Sequence, residues 1–517
     1  MAGNDYGKKR EKLSRRGFLQ GATAAGAGLV WAGRAAGAAG SSGGDHLNLA
    51  LIGCGSQGRV LLTDCLKVPG VRFKAVCDIW DYHKSYAANI LKAYKQDVNV
   101  YTDYREMLAS AHDLDAAIIA TPDWVHAEQT IACLNAGLHV YCEKEMSNSL
   151  AEARNMVRAA RETGHLLQIG HQRRSNPRYL HAENMIYKEG MLGRMTHAQG
   201  QWHRARQQPR GWPKGKPLEK ARLKEYGYHT MERLRNWRWY RKFSGGPMAD
   251  LGSHQVDIFN WWLRAHPKSV QAKGGTGYYP DWEWWDSVLA LYEYETPQGT
   301  VIAEYQVLNT TSFGGFYEVF MGDEGSLKIS EMSDIGHIYR EPVAKKKTWE
   351  DEASKVEKMG RKAIALKVGE SREWRLLFEA RWADVYGSSN EPSVSQALKK
   401  LCKNHGVELS EKAALEKEID AGWVVKDEDI HYLVQKKEGK LKFHQEKQVS
   451  RGKAMGAQAK KPVHTYHLEN FFNAIRGEAQ LTCPAEEAYA TAVSVLKANQ
   501  AVEAGKEVTF KPAEFTV

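Results

Sequence analysis

From residue 46 onward, the chain alternates short, mostly apolar runs with helical stripes. Residues 47–52, 71–77, 99–101, 114–120, 139–142 and 166–169 have the pattern of strands. Between them, apolar residues recur at helical spacing from Arg59, over 124–135, where Gly137 ends the pattern, and over 150–163. Strand–helix alternation of this kind predicts a parallel sheet with right-handed crossovers. Ligands of such sheets sit beyond the carboxyl ends of the strands, where Thr121, Pro122, Glu143 and Lys144 stand.

Past residue 169 the pattern changes. Residues 202–243 mix Arg and Lys with aromatic residues, among them Trp202, His203, Arg206, Trp212, Trp237 and Trp239. Aromatic faces stack on sugar rings and Arg holds hydroxyls or carboxylates, so this segment reads as a substrate-binding lid or as a subunit interface. Residues 281–285 are expected to open a strand and to serve packing. Residues 340–459 are charged, with basic runs at 344–347 and 435–440 and helical patterning at 394–404 and 412–420. They read as an insertion, partly helical and partly flexible.

The first residues read as an address. Ser14-Arg15-Arg16-Gly17-Phe18-Leu19-Gln20 follows a basic stretch, and a Gly/Ala-rich, weakly apolar run extends to Ala39. This is the layout of a twin-arginine signal peptide over residues 1–40, with cleavage positions around 36–38. A membrane anchor and a disordered tail are the other readings. The run is too short and too poor in large apolar residues for a comfortable span. No cysteine follows it to carry a lipid. The expectation is export to the periplasm or another extracytoplasmic space, with no stable membrane anchor after processing. This route carries folded proteins, so a nucleotide could be loaded before export.

The length of 517 residues allows two or three domains. Hydrophobic residues at 43% and charged residues at 26% fit an ordinary globular protein. The leader accounts for half of the formal charge of +10, so the rest is too weakly basic to point to nucleic acid. None of the seven cysteines forms a Cys-x-x-Cys pair, so neither a metal nor a redox motif is expected.

The chemistry starts at Gly53-Cys54-Gly55-Ser56-Gln57-Gly58, between the first strand and the first helix. Gly53 allows the tight turn, Gly55 lets the backbone approach a pyrophosphate, and Gly58 lets the helix pack close. The helix start, at Ser56 and Gln57, then offers unpaired amides to the phosphates. Asp78, at the end of the second strand, stands 20 residues past Gly58. There a carboxylate grips ribose hydroxyls and repels a 2′-phosphate, so the expected cofactor is NAD rather than NADP.

At Thr121-Pro122-Asp123-Trp124-Val125-His126 and Glu143-Lys144-Glu145-Met146 the chain resembles the Gfo/Idh/MocA oxidoreductases, which include inositol dehydrogenases and glucose–fructose oxidoreductase. The stretch Gly245-Gly246-Pro247-Met248-Ala249-Asp250-Leu251-Gly252-Ser253-His254 and the tail from His467 to Val508 carry the resemblance further. It covers roughly 46–335 and 460–517. It implies an α/β fold: a Rossmann doubly wound parallel sheet over 46–168, then a C-terminal α/β domain with a large, mostly antiparallel open sheet over 169–339 and 460–517. That sheet usually mediates dimers or tetramers, so a homodimer or homotetramer is expected. The family usually reads Glu-Lys-Pro where this chain has Glu143-Lys144-Glu145, which brings an extra carboxylate near the site.

The resemblance also implies roles. Lys144 would sit beside the nicotinamide and donate to the reacting hydroxyl. His254 would be the general base, against a plain capping or core role. Asp250, four residues earlier, would share a helical face with His254 and orient it. Thr121, Pro122, Glu143 and His126 would border the cofactor, His126 more by supporting the loop than by moving protons. Arg174, Trp202, His203 and Trp237 are the candidates for substrate contact, with Arg173 and Arg174 equally readable as surface or interface charges. The expected function is oxidation or reduction of a secondary alcohol of a sugar, cyclitol or glycoside by an exported enzyme with tightly held NAD. The alternative is a glycosidase that oxidises C3 transiently, eliminates, hydrates and reduces again, with a Tyr or His from 171–240 as the additional base. A non-catalytic sugar-binding protein is the outsider.

Overall fold

The computed structural model describes residues 46–332, 335–347 and 461–517, and five strands within 355–445. The leader and both helical patterns expected at 394–404 and 412–420 lie outside the described residues. Within the insertion, the described segments are strands: Lys355–Lys358, Arg361–Ala365, Trp423–Asp427, Ile430–Lys437 and Lys440–Gln445.

The first sheet contains β1 (Leu47–Ile52), β2 (Val71–Cys77), β3 (Asn99–Tyr101), β4 (Ala116–Ile119), β5 (His139–Cys142) and β6 (Leu167–Ile169). Their order is β3-β2-β1-β4-β5-β6, with every neighbour parallel. Helices α1 (Ser56–Cys65), α2 (Asp81–Ala93), α3 (Tyr104–Ser110), α4 (Asp123–Asn135) and α5 (Leu150–Thr163) connect the strands. The central strands β1, β4 and β5 are buried almost end to end, as strands covered on both faces must be. Strand order reverses between β1 and β4, which opens a crevice at their carboxyl ends. Cys54, Cys65, Cys77, Cys133, Cys142 and Cys483 are buried free thiols that fill this structure as small apolar groups.

The second sheet is built from β7 (Met195–His203), β8 (Pro267–Gly275), β9 (Ser287–Thr296), β10 (Gly299–Leu308), β11 (Phe316–Gly322), β12 (Gly325–Ile329) and β13 (Gly336–Arg340). Its order is β13-β12-β11-β7-β10-β9-β8, extended at the β13 edge by Arg361–Ala365 and Lys355–Lys358 and at the β8 edge by Val508–Thr509. All pairs are antiparallel except β7 with β10. Burial alternates along β9 and β10, as expected for a sheet with one covered face. Val288, Ala290, Tyr292, Tyr294, Val301, Ala303, Tyr305 and Val307 are buried, whereas Leu289, Leu291 and Ile302 are exposed. Residues 281–285 form a turn before β9, and Trp284 and Trp285 pack into the core.

Four longer helices follow, α6 (Pro177–Tyr187), α7 (Ser253–Leu263), α8 (Val463–Ile475) and α9 (Ala485–Ala504), and the short helices Lys220–Glu225 and Met231–Arg235 lie between β7 and α7. The tail of the chain serves both sheets. Leu468, Phe471 and Phe472 of α8 pack with Leu61, Cys65 and Tyr141 of the first domain, although the sequence groups this segment with the second. Helix α9 is buried along most of its length against α7 and β8. Among the described residues, no helix is long and apolar enough to cross a membrane.

Buried ionic groups in the turn Gln172–Ser175, just after β6, fasten the first domain to the second. Arg173 pairs with Glu318 of β11, whose other oxygen accepts from Tyr179 at 2.7 Å. Arg174 donates to both oxygens of Asp257 on α7 at 2.9–3.0 Å, and Thr491 of α9 donates to the same carboxylate at 3.0 Å. Removing one partner of such a pair leaves an uncompensated buried charge. Glu145 follows Lys144 across a cis peptide and is 1% exposed. One carboxyl oxygen accepts from the Met146 amide at 2.7 Å, and the other has no hydrogen-bond partner among the described residues. Burial pushes this carboxyl up to about 8, so near neutral pH it is mostly protonated and adds little charge beside Lys144.

This burial sets a pH dependence. The folded protein holds the Glu145 proton that the unfolded chain releases near 4.5, so this group's contribution to stability falls as pH rises from about 4.5 to about 8. Thermal unfolding followed from pH 5 to pH 8 in both proteins should show the Tm of the parent falling relative to that of Glu145→Gln as pH rises, on top of the opposite slope that the buried neutral histidines give to both. An unchanged slope in the variant contradicts the assignment.

Candidate active site

The glycine turn forms the floor of the crevice. Gly53 has φ of +90°, and a Cβ there would lie 2.7 Å from the Ala120 carbonyl carbon. A Cβ on Gly58 would lie 1.9 Å from the Gly53 oxygen, so α1 meets β1 at a distance only glycine permits. A Cβ on Gly55 would meet only the His83 ring, at 3.6 Å. The α1 N-cap, Gly55, provides no side-chain cap, so the amides at Ser56 and Gln57 start the helix facing the crevice. Asp78 closes one end. Its carboxylate accepts from the amides of Cys54 and Trp80, each at 2.8 Å, and lies 3.4 Å from His83 Nδ1. Burial alone would raise its pKa; His83 and the two amides overcome this and hold it below the usual carboxylate range. A fixed anion beside a glycine cradle fits the adenosine end of a dinucleotide.

The other end is formed by the loops after β4 and β5. His126 is buried and faces the carbonyls of Thr121 at 2.7 Å and Glu145 at 2.8 Å, so it braces the two loops. Burial lowers it to about 4, and the neutral ring donates to only one of these oxygens. Thr121 donates to Gln129 at 2.6 Å, and Pro122 is the extended N-cap of α4. Glu143 accepts from Gln57 at 2.9 Å, and Gln57 also meets His464 of α8 at 3.2 Å. The Glu143 hydrogen bond joins the loop after β5 to the start of α1.

Lys144 reaches across to the second domain. Its Nζ donates to the Asp250 carbonyl and lies 3.6 Å from the Asp250 carboxylate. Asp250 sits in a π-turn, Met248–Gly252, directly before α7. Arg238 donates to the same carboxylate at 2.9 Å, and Arg204 lies 3.6 Å away. Burial would raise the Asp250 pKa, but Arg238, Lys144 and Arg204 together hold it far below the ordinary value. Asp123 lies in the same field and is pushed up by burial to about 7, against the pull of Arg238 and Lys144.

His254, in the first turn of α7, is buried and stacks on Trp202 with centroids 5.2 Å apart. His171 meets it edge to face at 6.4 Å. Burial lowers the His254 pKa well below 6.5, and Lys144, Arg173, His171 and His464 lower it further. This corrects two expectations. The ring does not titrate in the usual histidine range, and Asp250 is turned toward three cations instead of orienting the imidazole.

Three of the four expected substrate contacts are occupied otherwise. Arg174 is committed to Asp257 and Glu487. Trp202 is 2% exposed between His254 and Phe316, so it backs the histidine and presents no face to a sugar. His203, the next residue on β7, points to the opposite side of the sheet and bonds Gln306 at 2.8 Å and the Phe313 carbonyl at 2.6 Å. Trp237 lies under Arg238, with the guanidinium 4.1 Å from the ring centroid. Sequence reasoning missed Arg204, Arg238, Asp123, His83 and His464. The signal for the two arginines was present in the cationic, aromatic character of 202–243.

Two family models match the chain. The first, an oxidoreductase family with an NAD-binding Rossmann fold, covers residues 47–171, and the Gfo/Idh/MocA C-terminal domain covers 179–328. The 4-carboxy-2-hydroxymuconate-6-semialdehyde dehydrogenase of Sphingobium sp. is 33% identical over 171 residues, 32% of this chain and 53% of that one. The 1,5-anhydro-D-fructose reductase of Ensifer adhaerens is 29% identical over 223 residues, 43% of this chain and 59% of that one. The chain thus spans little more than half the length of these curated relatives. Among solved structures, levoglucosan dehydrogenase with NADH and L-sorbose has a TM-score of 0.55 at 16% identity, covering 90% of this chain and 99% of that one. Scyllo-inositol dehydrogenase from Lactobacillus casei, with NAD(H) and scyllo-inositol, has a TM-score of 0.53 at 15% identity with the same coverage. At such identity these structures speak to the fold, and the fold agrees with the two family models. The chain belongs to the Gfo/Idh/MocA oxidoreductase family, with an NAD-binding Rossmann domain.

Proposed function

We propose that this protein transfers hydride between NAD and a CH–OH carbon of a sugar, cyclitol or glycoside. The observation that carries this reading is the side-chain set around the carboxyl end of β5: Lys144 held by Asp250, with a buried, neutral His254 in the field of the lysine. When bound, the nicotinamide accepts or supplies the hydride. Lys144 donates to the reacting oxygen and stabilises negative charge on it. His254, neutral because it is buried among cations, accepts the hydroxyl proton. Asp78 supports NAD over NADP, because its buried anion would repel a 2′-phosphate. The names of relatives that act on anhydrofructose and inositol support a polyhydroxylated ring as substrate.

The Arg15-Arg16 leader supports twin-arginine export with the nucleotide loaded beforehand, so that NAD stays resident through turnover. Exposed Leu289, Leu291 and Ile302 support a homo-oligomer formed through the second sheet. A specific feature keeps the glycosidase alternative open. His171 is buried beside His254, burial lowers it to about 4, and neither ring nitrogen has a hydrogen-bond partner among the described residues. These features support His171 as the second base which that cycle needs. A 2,7-anhydro-N-acetylneuraminate hydratase, 25% identical over 240 residues, is also among the relatives.

The first test needs no added cofactor. Protein purified folded should carry nucleotide absorbance, and addition of sugars, cyclitols or glycosides should raise a persistent reduced-nicotinamide band. Release of aglycone without net reduction favours the glycosidase cycle, and protein without nucleotide contradicts both readings. The second test is a pH profile of alcohol oxidation. Because the His254 pKa is depressed, the base stays neutral through neutral pH, and the rate should fall only well below pH 6.5. His254→Asn should lower kcat by ~10²–10⁴-fold. A limb centred at or above 6.5 that disappears in this variant contradicts the assignment.

A further inference from the structure

The connection from β7 to α7 does more than supply Arg204 and Arg238. Its middle packs on the first domain. Leu218, Leu223, Tyr228, Met231 and Phe243 are no more than 6% exposed and share one apolar cluster with Trp80 and Trp124. The two tryptophans stand on opposite banks of the cofactor crevice. Trp80 follows Asp78 beyond the end of β2, and Trp124 lies in the first turn of α4, beyond β4. The sheet order is β2-β1-β4, so β1 and its glycine turn run between them. Hydrogen bonds fix the span at both banks. Trp80 Nε1 donates to the Lys216 carbonyl at 2.8 Å, and Trp124 Nε1 donates to Tyr228 Oη at 3.0 Å. Beyond β5, Asn148 donates to the Lys242 carbonyl at 3.0 Å. Gly227 brings its backbone so near that a Cβ there would lie 3.1 Å from the Trp124 ring. Beneath the span, the Asp78 side chain is only 9% exposed.

A dinucleotide held by Asp78, the glycine turn and the loops after β4 and β5 extends between these same two banks. Resting on the proposed NAD-dependent chemistry, we infer that residues 215–243 form a strap across the NAD site, and that nucleotide enters and leaves only when this strap undocks. Undocking exposes five apolar side chains and two indoles to water, so the open form is rare. Gly215 has φ of +75° and open space around it, which gives the strap a hinge at its start. Such a strap slows entry and release alike. It therefore keeps NAD resident by kinetics, without demanding exceptional affinity.

Holoprotein incubated with isotope-labelled NAD reports nucleotide exchange by mass spectrometry, independently of turnover. Leu223→Ser should exchange about tenfold or more faster than the unaltered protein, whereas Leu223→Met, which conserves volume, should stay within about threefold. NAD association with nucleotide-free Leu223→Ser should accelerate along with release, so that Kd changes less than either rate. A second arm uses the unaltered protein and decides the matter if Leu223→Ser does not fold. Its release rate should rise with urea below the unfolding transition, with a shallower slope than global unfolding, because a strap exposes only part of the buried surface. Release indifferent to urea, release with the full unfolding slope, or exchange equally fast in Leu223→Ser overturns the inference. So does a Leu223→Ser variant that speeds release but not association, since that marks a lost contact instead of an opened gate. Nicotinamide reduction tests the underlying reading separately. Protein that neither carries NAD nor takes it up defeats that reading and the strap with it. Reduction by an alcohol beside strap-independent exchange defeats the strap alone, and strap-dependent exchange without reduction by any alcohol defeats the hydride reading alone.

Discussion

The site depends on one buried carboxylate. Asp250 meets Lys144 from the loop after β5, Arg204 just past β7 and Arg238 from the aromatic segment, and it stands at the entry to α7. Four stretches of chain, from Lys144 to Asp250, are tied at that point. Burying so much charge is costly unless the attractions and hydrogen bonds are well arranged. Here three cations converge on one anion, which keeps Asp250 ionised despite burial. Lys144 is thereby held at the mouth of the crevice rather than extended into solvent.

Around this charged centre, burial drives the other titratable groups toward their neutral forms. His126, His171 and His254 are lowered, and Glu145 and Asp123 are raised. Such a site separates its tasks. Fixed charge comes from Lys144, Asp250 and the arginines, whereas the groups able to exchange protons near neutral pH without large reorganisation are uncharged or close to their midpoint. The Glu145 that replaces the family's usual proline fits the same rule, because its carboxyl is neutralised by burial instead of competing for the lysine.

The first domain was legible in the sequence because its signals are local. The glycine turn, the 20-residue step to Asp78 and the runs at 47–52 and 139–142 each follow from neighbours along the chain. The second domain's sheet came from family resemblance, since its pairings join residues far apart, such as β7 with β10. In the site, Lys144, Asp250 and His254 were found by motif, but the relation between the last two was misread: an i,i+4 rule assumes an α-helix, and Asp250 lies in a π-turn pulled toward cations from elsewhere. Trp202 and His203 could not both face a ligand, because adjacent strand residues point to opposite faces. That constraint was already available in the sequence. The burial of Arg174 on Asp257 was not, because it depends on how α7 docks.

A double-mutant cycle over Asp250→Asn and Lys144→Ala, read as kcat/KM for nicotinamide reduction, tests most directly whether Asp250 works through Lys144. Each single substitution should cost about 10²-fold or more, the scale of losing one preorganised electrostatic contact. The double variant should then be about as active as the weaker single variant, because both substitutions disable one unit. Losses that multiply in the double variant would show that Asp250 and Lys144 act independently, and would contradict the account.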